Sequence, residues 1–484
     1  MYLPGWYRRW TEAVLMAEGP RPQNGDAPND EGKPPRGHLM GFAEVGSTGT
    51  FGRVVAGVSW LFVLIPAALP YLYVHAFGVN VVFADAWDMV LVFRKWFSGR
   101  LAFADLYAQH VEHRMFFPRG VELLLGSLTR YNNVAEMYLI VSCFLITAAV
   151  LLLAFRREIG LPLIFFVPVA LLIFSFRQYE NMLFGFQISF AFTQTFGVLA
   201  LYLLYSSSRH NFRVHAFVAA LGSATIASFS TAQGLLVWPA GLLGLLLGSV
   251  ATSGKKVFVG IWGIVGVAEW VAYFVDYKTP RGHLPLLHAL SHIGTATEYF
   301  LTLLGSALFW QPDHAFSGGL VIGCLALAMF LATYGRGVLR EHSFWISLVF
   351  YSLFILATIT LGRAGMFGVW QAAVSRYTTF SILAVASVYT MLAKMVFARS
   401  SGVGRTVLLI TLFGTVLLST GISYRNGVEV GRVQEASRER AAYVLETYKS
   451  QPDVRLAALY PRPETVRRRA PLLEKLGYNV FSEP

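Results

Sequence analysis

Two short stretches of this chain gather the residue types that acid–base and anion chemistry need. In "DAWDMVLVFRKW", Asp85 and Asp88 stand three apart, which on a helix sets both carboxylates at neighbouring positions of one face. A little further on, "QHVEHRMFFPRG" packs His110, Glu112, His113, Arg114 and Arg119 into residues 109–120. A carboxylate within hydrogen-bond reach of a hydroxyl can act as a general base, and arginine forks suit phosphate oxygens. Plainer readings stand beside these. Early carboxylates also suit a helix N-terminus, where free amides and the dipole favour negative charge, so one Asp capping and one catalytic is an open possibility. Arg114 and Arg119 could equally pair with Glu112 and Glu122. Zinc is not expected: the metalloprotease helix motif sets two His four apart, whereas His110 and His113 are three apart. A loop position for His110 to Arg114, ahead of a helix over 118–128, suits working residues better than packed ones.

Further polar groups recur at the ends of apolar runs. "RQYENMLFGFQ" carries Arg177, Tyr179, Glu180 and Asn181, and "SRYTTFS" carries Arg376 and Tyr377, with Arg363 just ahead. Tyrosine and charge at such positions fit an interfacial belt, which Glu180 and Asn181 fit less well. An arginine there either meets a lipid phosphate or snorkels to water.

The elements that must hold these residues are apolar helices. Of 484 residues, 55% are hydrophobic and 14% charged, and apolar runs of bilayer-crossing length repeat along the chain. About eleven spans are expected, near 54–77, 136–155, 161–176, 187–205, 214–230, 232–250, 257–275, 318–335, 343–361, 375–397 and 405–423. Thr297–Trp310 is apolar but short and is expected to be an interfacial or re-entrant helix. The fold class is therefore all-α and polytopic. Both cysteines, Cys143 and Cys324, lie in apolar runs, so no disulfide framework or thiolate metal centre is indicated. The net charge of +12 is concentrated in short turns and the C-terminal tail, which points to membrane lipids as partner and not to nucleic acid.

Residues 1–53, rich in Pro, Gly, Asn and Asp, are expected to form a disordered cytoplasmic arm, with "MYLPGWYRRWTEAVLM" either lying on the membrane or unstructured. No cleavable signal is expected, because the first long apolar run starts near Val54 and exceeds an h-region in length. Basic pairs mark alternate turns: Arg156 and Arg157, Arg209 and Arg213, Lys255 and Lys256, Arg336 and Arg340, Arg399 and Arg405. These make the turns cytoplasmic in a transmembrane domain over 54–423. The N-terminus is then inside, and the C-terminal segment 424–484 is extracytoplasmic. The same sidedness puts a long first loop, 78–135, outside with "FSTAQG", "DYKTPRGHLPLLH" and "GRAGMFGVWQAAVSRY". Polar residues at membrane ends are costly unless they line a site, so an active extracytoplasmic face is expected.

A first span, a long external loop opening with acidic residues, many further spans and a small external tail resemble the GT-C superfamily of membrane glycosyltransferases. "EHRMFFPR", "YENMLFGFQ", "SRYTTFS" and "LYPRPETVRRRAPLLEKLGYNVF" are similar to a bacterial group of uncharacterised membrane proteins placed beside that superfamily. The resemblance implies a multi-pass protein of the cytoplasmic (inner) membrane that transfers a sugar from a polyprenyl-phosphate-linked donor to an extracytoplasmic acceptor. It also implies a first-loop carboxylate, Asp85 or Asp88, as general base. Arg114, Arg363 and Arg376 are then candidates for the phosphate, and Glu112, His113, Tyr179, Glu180, Asn181 and Tyr377 for sugar or acceptor contacts. No paired acidic motif calls for a metal, and no cofactor is expected. Competing expectations are a ligase or polymerase of the O-antigen type, with Arg281, His283, His288 and His292 as its late-loop residues, and a transporter, with Glu269 as its mid-span charge.

Overall fold

Apolar sequence that cannot face water folds here into helices that satisfy their own backbone. The computed structural model of the chain describes residues 50–208, 213–247, 255–280, 289, 291–333, 342–366, 368–399 and 402–482. Most of the expected N-terminal arm lies outside the described residues, as do Arg209, Arg281, His283, His288, Arg336 and Arg340. Among the described residues, nine helices are long and apolar enough to cross a membrane, and two shorter apolar segments, Val214–Ser228 and Ala232–Leu247, accompany them. The protein is an all-α, multi-pass membrane protein.

Helix α1 (Thr50–Phe77) leads into the first loop. That loop holds α2 (Trp87–Phe97), α3 (Phe103–Tyr107), a hairpin of β1 (Gln109–His110) and β2 (His113–Arg114), and α4 (Phe116–Thr129). The bundle follows with α5 (Asn133–Ala154), α6 (Val167–Ile173), α7 (Tyr179–Met182), α8 (Ile188–Ser208), α9 (Val214–Ser228), α10 (Val237–Leu247) and α11 (Lys255–Phe274). It continues with α12 (Ile293–Gly305), α13 (Pro312–Thr333), α14 (Ser343–Arg363), α15 (Ser375–Arg399) and α16 (Gly402–Glu446), and the chain closes with α17 (Asp453–Leu456) and α18 (Pro463–Leu476).

Three features position the site. The third apolar segment, Leu163–Met182, is broken: α6 stops at Ile173 and a 3-10 turn, Phe176–Gln178, intervenes before α7. Irregular backbone at such depth must be satisfied by protein. Gln178 Nε2 donates to the Ile173 carbonyl at 2.6 Å, Arg177 donates to the Ala373 carbonyl, and Thr378 Oγ1 donates to the Arg177 carbonyl at 3.3 Å.

The second feature is α12. With 13 residues it extends about 20 Å at 1.5 Å per residue, short of a hydrocarbon core of about 30 Å. It turns back on α13 so closely that a Cβ on Gly305 would sit 1.9 Å from the Ala315 carbonyl oxygen, and one on Gly319 1.8 Å from that of Leu301. Carbonyls at its end and in the turn after it are taken by other helices: Ser381 Oγ donates to Leu303 and Ser419 Oγ to Leu308, each at 2.6 Å.

The third is α16, whose 45 residues run for about 67 Å. The last apolar stretch and the amphipathic "GVEVGRVQEASRERAAYVLE" are thus one helix, passing straight through the boundary expected at 423. Its far end joins the first loop in a second apolar core, apart from that of the bundle. There Trp87, Phe93 and Tyr131 are buried with Leu445, Leu456, Val466 and Leu473. Because loop and tail share one core, they lie on one side of the membrane, and the number of crossings between them is even.

Candidate functional site

The loop–tail unit is held by Asn479, which is 1% exposed and adopts the left-handed φ of +58° that asparagine tolerates better than most residues. Its Oδ1 accepts from the Val82 amide at 3.1 Å. Its Nδ2 faces Asn80 Oδ1 at 2.7 Å and the Tyr131 carbonyl and Asn133 Oδ1 at 3.0 Å each. The Ala84 amide also donates to the Leu459 carbonyl at 2.8 Å. The tail therefore fixes the backbone immediately before Asp85.

Ala84 and Val111 both have φ of +48°. For a β-branched residue such a value is an outlier that persists only when its surroundings over-determine it. Val111 is the first residue of the two-residue turn between β1 and β2, where His110 pairs with His113. Its surroundings do over-determine it. Gln109 Nε2 donates to the Val111 and Lys278 carbonyls at 2.6 Å each, and Gln109 Oε1 accepts from the Lys278 amide at 2.9 Å. Tyr273 OH donates to the Glu112 carbonyl and accepts from the Arg114 amide, both at 3.0 Å. The strained turns bracket the polar groups the sequence singled out.

Asp85 lies in a 3-10 turn (Ala84–Ala86) and Asp88 in the first turn of α2, and neither makes a side-chain cap. Between them stands His110, its Nδ1 3.1 Å from Asp88 Oδ2 and its Nε2 3.8 Å from Asp85 Oδ2. On the far side of Asp88, Arg469 of α18 donates through Nη1 to Asp88 Oδ1 at 2.9 Å and to the Trp87 carbonyl at 2.6 Å. Burial works to raise the Asp88 pKa, but the hydrogen bonds and charges of His110 and Arg469 outweigh it and hold the carboxyl at about 2. For His110 burial works downward and the two carboxylates win, holding the imidazole at about 9. At neutral pH the group is an imidazolium between two carboxylates. Asp85 is the freer of the two, its side chain 55% exposed against 39% for Asp88.

The second polar group hangs from the hairpin turn. Arg363, at the end of α14, donates through Nη2 to Glu112 Oε1 at 2.5 Å, and His113 Nε2 lies 3.7 Å from the same oxygen. The Ala232 amide donates to His113 Nδ1 at 3.2 Å, so that nitrogen carries no proton and Nε2 does. Burial pushes His113 down to about 4, against the pull of Glu112; unlike His110 it is neutral. The charges of His110, Asp85 and Arg363 all bear on His113, making the two groups one field.

The third group joins α7 to α15. Glu180 Oε2 accepts from the Arg376 amide at 2.9 Å and lies 3.9 Å from Arg376 Nε, and the Arg376 side chain is 42% exposed. A run of rings borders the first group: Phe83 stacks on Phe184 at 4.2 Å, and Phe184 on Phe186 at 5.9 Å, which meets His110 edge-on at 5.3 Å. Arg438, from the C-terminal half of α16, lies over Phe83 and feels the charge of Glu180.

Other sequence candidates serve the framework. Arg114 gives Nε to the Tyr273 carbonyl at 2.6 Å and Nη1 to the Tyr107 carbonyl at 3.2 Å, and also bonds the Val275 carbonyl; its guanidinium staples the hairpin to the end of α11. Arg119 similarly holds the Leu106 and Ala108 carbonyls. Asn181 is buried, donating to the Arg376 carbonyl at 2.9 Å and Thr379 Oγ1 at 2.6 Å. Tyr179 stacks on Trp310 at 6.0 Å, and Tyr377 is buried beneath Arg376. Helix α4 begins at Phe116, two residues ahead of Pro118. His110 and Arg469 are the functional groups sequence reasoning did not assign. His110 lay within a quoted motif, but three consecutive arginines, Arg467 to Arg469, gave no signal as to which would meet the loop. Arg467 pairs with Asp453, and Arg468 bonds within its own helix.

No family model matches the chain, and no solved structure does. The chain is similar to an uncharacterized protein of Archaeoglobus fulgidus. The two are 24% identical over an alignment of 238 positions that covers 44% of this chain and 60% of that protein. The site is therefore read from its own chemistry: a half-exposed carboxylate beside an imidazolium, with Arg363 and Arg376 at the ends of bundle helices. Such a set can accept a proton from a hydroxyl and stabilise an anion.

Proposed function

We propose that the protein is an integral-membrane, GT-C-type glycosyltransferase that moves a sugar from a polyprenyl-phosphate donor to an extracytoplasmic glycan, lipid or protein acceptor. One observation carries the reading: Asp85, a carboxylate open to solvent, shares one end of the bundle with Arg363 and Arg376. Asp85 takes the acceptor hydroxyl's proton as its oxygen attacks the anomeric carbon. The bond from that carbon to the phosphate oxygen breaks, and the phosphate leaves with the electron pair. Arg376, half-exposed beside Glu180, is the first cation the phosphate meets, with Arg363 behind it. Asp88 is the weaker choice of base, since a carboxyl held at about 2 has little affinity for a proton. Glu112 and His113 offer an acceptor and an N–H donor for sugar hydroxyls.

Eleven crossings, with α12 re-entrant, agree with the even number required between loop and tail and with the basic turns being cytoplasmic. The N-terminus is then cytoplasmic, and the site faces outward from the cytoplasmic membrane. A transporter reading draws less support from its leading residue. Glu269 accepts from Thr225 Oγ1 at 2.5 Å and Trp238 Nε1 at 3.2 Å, a satisfied structural carboxyl.

Native mass spectrometry of the detergent-purified protein supplied with polyprenyl phosphate tests the reading. A bound lipid is expected, weakened in Arg376→Ala and retained in Asp85→Asn, with sugar transfer lost in the latter. No bound polyprenyl species after supply would refute it.

A further inference from the structure

The C-terminal segment meets the Asp88 carboxylate through the Arg469 side chain, and the geometry there is directional. Arg469 is 18% exposed and spans two acceptors, the Trp87 carbonyl and Asp88 Oδ1. The main-chain bond fixes the guanidinium, and the guanidinium fixes one oxygen of Asp88. The other oxygen is thereby turned to His110 Nδ1, leaving Nε2 directed at Asp85. A carboxylate behind one imidazole nitrogen sets the ring's orientation and what its other nitrogen presents.

We infer that Arg469 is a positioning residue: it holds Asp88 against His110 so that the imidazole is fixed beside Asp85, making the tail a working part of the site. The link from this clamp to sugar transfer rests on the reading of Asp85 above; the clamp itself does not. The charged and titratable groups facing His110 are Asp85, Asp88 and, at longer range, His113, with Arg469 behind Asp88. Removing Arg469 shifts His110 in opposite directions according to what the guanidinium does. If it acts only as a nearby positive charge, its loss leaves the imidazolium more favoured. If it positions Asp88, its loss frees a half-exposed carboxylate to turn to water, and burial of His110 then favours the neutral ring.

Diethyl pyrocarbonate, which acylates only unprotonated imidazole, reads that sign without any substrate. His110 and His113 fall in one tryptic peptide, Leu101–Arg114, so fragment mass spectra give both rates together, with the already neutral His113 as reference for access. With His110 held at about 9, about 1% of it is unprotonated at pH 7, against about three quarters at an ordinary pKa of 6.5. For the full chain in detergent, Arg469→Ala is expected to raise the His110 rate at pH 7 by at least about ten-fold relative to His113. Asp88→Asn, which leaves Arg469 in place, should do the same, and the double variant should add little to either. Arg469→Lys should fall between parent and Arg469→Ala, since an ammonium keeps the charge but not the two-pronged reach. An unchanged or slower His110 rate in Arg469→Ala, with Asp88→Asn accelerated, would overturn the inference. So would equal acceleration of His110 and His113, which would mark general loosening. None of these rates depends on glycosyl transfer, so failure of the clamp and failure of the functional reading are separately visible.

Discussion

Replacing Asn479 by alanine should undock the tail from the first loop, and the size of the effect follows from its contacts. The change removes the acceptor of the fully buried Val82 amide and the donor facing Asn80, Asn133 and the Tyr131 carbonyl. A buried polar group left without a partner costs about 1–3 kcal/mol. Only some of these four can turn elsewhere, so about 2–4 kcal/mol is lost. The backbone at φ +58° adds about 1 kcal/mol for alanine, a total of about 3–5 kcal/mol. Asn479→Gly escapes the backbone cost and should lose about 1 kcal/mol less. Hydrogen exchange by mass spectrometry on peptides from 79–97 and 453–482 would measure it, since about 3 kcal/mol raises opening roughly 150-fold. Peptides from α8 and α15, in the bundle core, should be unaffected. Protection within about three-fold of the parent in both variants, or glycine worse than alanine, would refute the reasoning.

His110 and His113 should give the loop–tail unit pH dependences of opposite sign on the two sides of pH 6.5. His110, raised to about 9, contributes fully below 6.5 and loses that contribution as pH rises through 9. His113, lowered to about 4, contributes fully above 6.5 and loses it as pH falls through 4; exchange protection against pH would give the two slopes. Glu112→Ala should lower the apparent melting temperature by leaving Arg363 without its carboxylate in a site where both are about four-fifths buried, a cost of about 2–4 kcal/mol. Adding Arg363→Met should recover part of it, a coupling that a double-mutant cycle would read. Gly305→Ala should cost at least about 2 kcal/mol, because the backbone 1.9 Å from its new Cβ cannot move aside as a side chain can. Gly260→Ala in α11, with open space around it, should be neutral or slightly stabilising by helix propensity.

The sequence by itself determined that this is an all-α, multi-pass membrane protein and roughly where its spans lie, because lipid demands long apolar runs and internal backbone bonding regardless of neighbours. It also marked the polar stretches that gather at one end, since charge is costly in such a chain and stands out. What the side chains in those stretches do was left to tertiary structure. Arg114 and Asn181 are of the right type to bind substrate, yet the end of α11 and the start of α15 supply carbonyls that engage them; no local pattern discloses a partner some 160 or 195 positions away. Asp85 and Asp88 are equivalent in sequence, and only the arrival of Arg469 from 381 positions along the chain makes one a clamped anion and the other an open one. The last apolar run and the polar tail read as separate elements, because hydropathy changes where helicity does not, and α16 crosses that change unbroken. Periodicity and hydropathy are local properties that a chain carries with it, whereas hydrogen-bond partners and electrostatic fields arise between segments that only folding brings together.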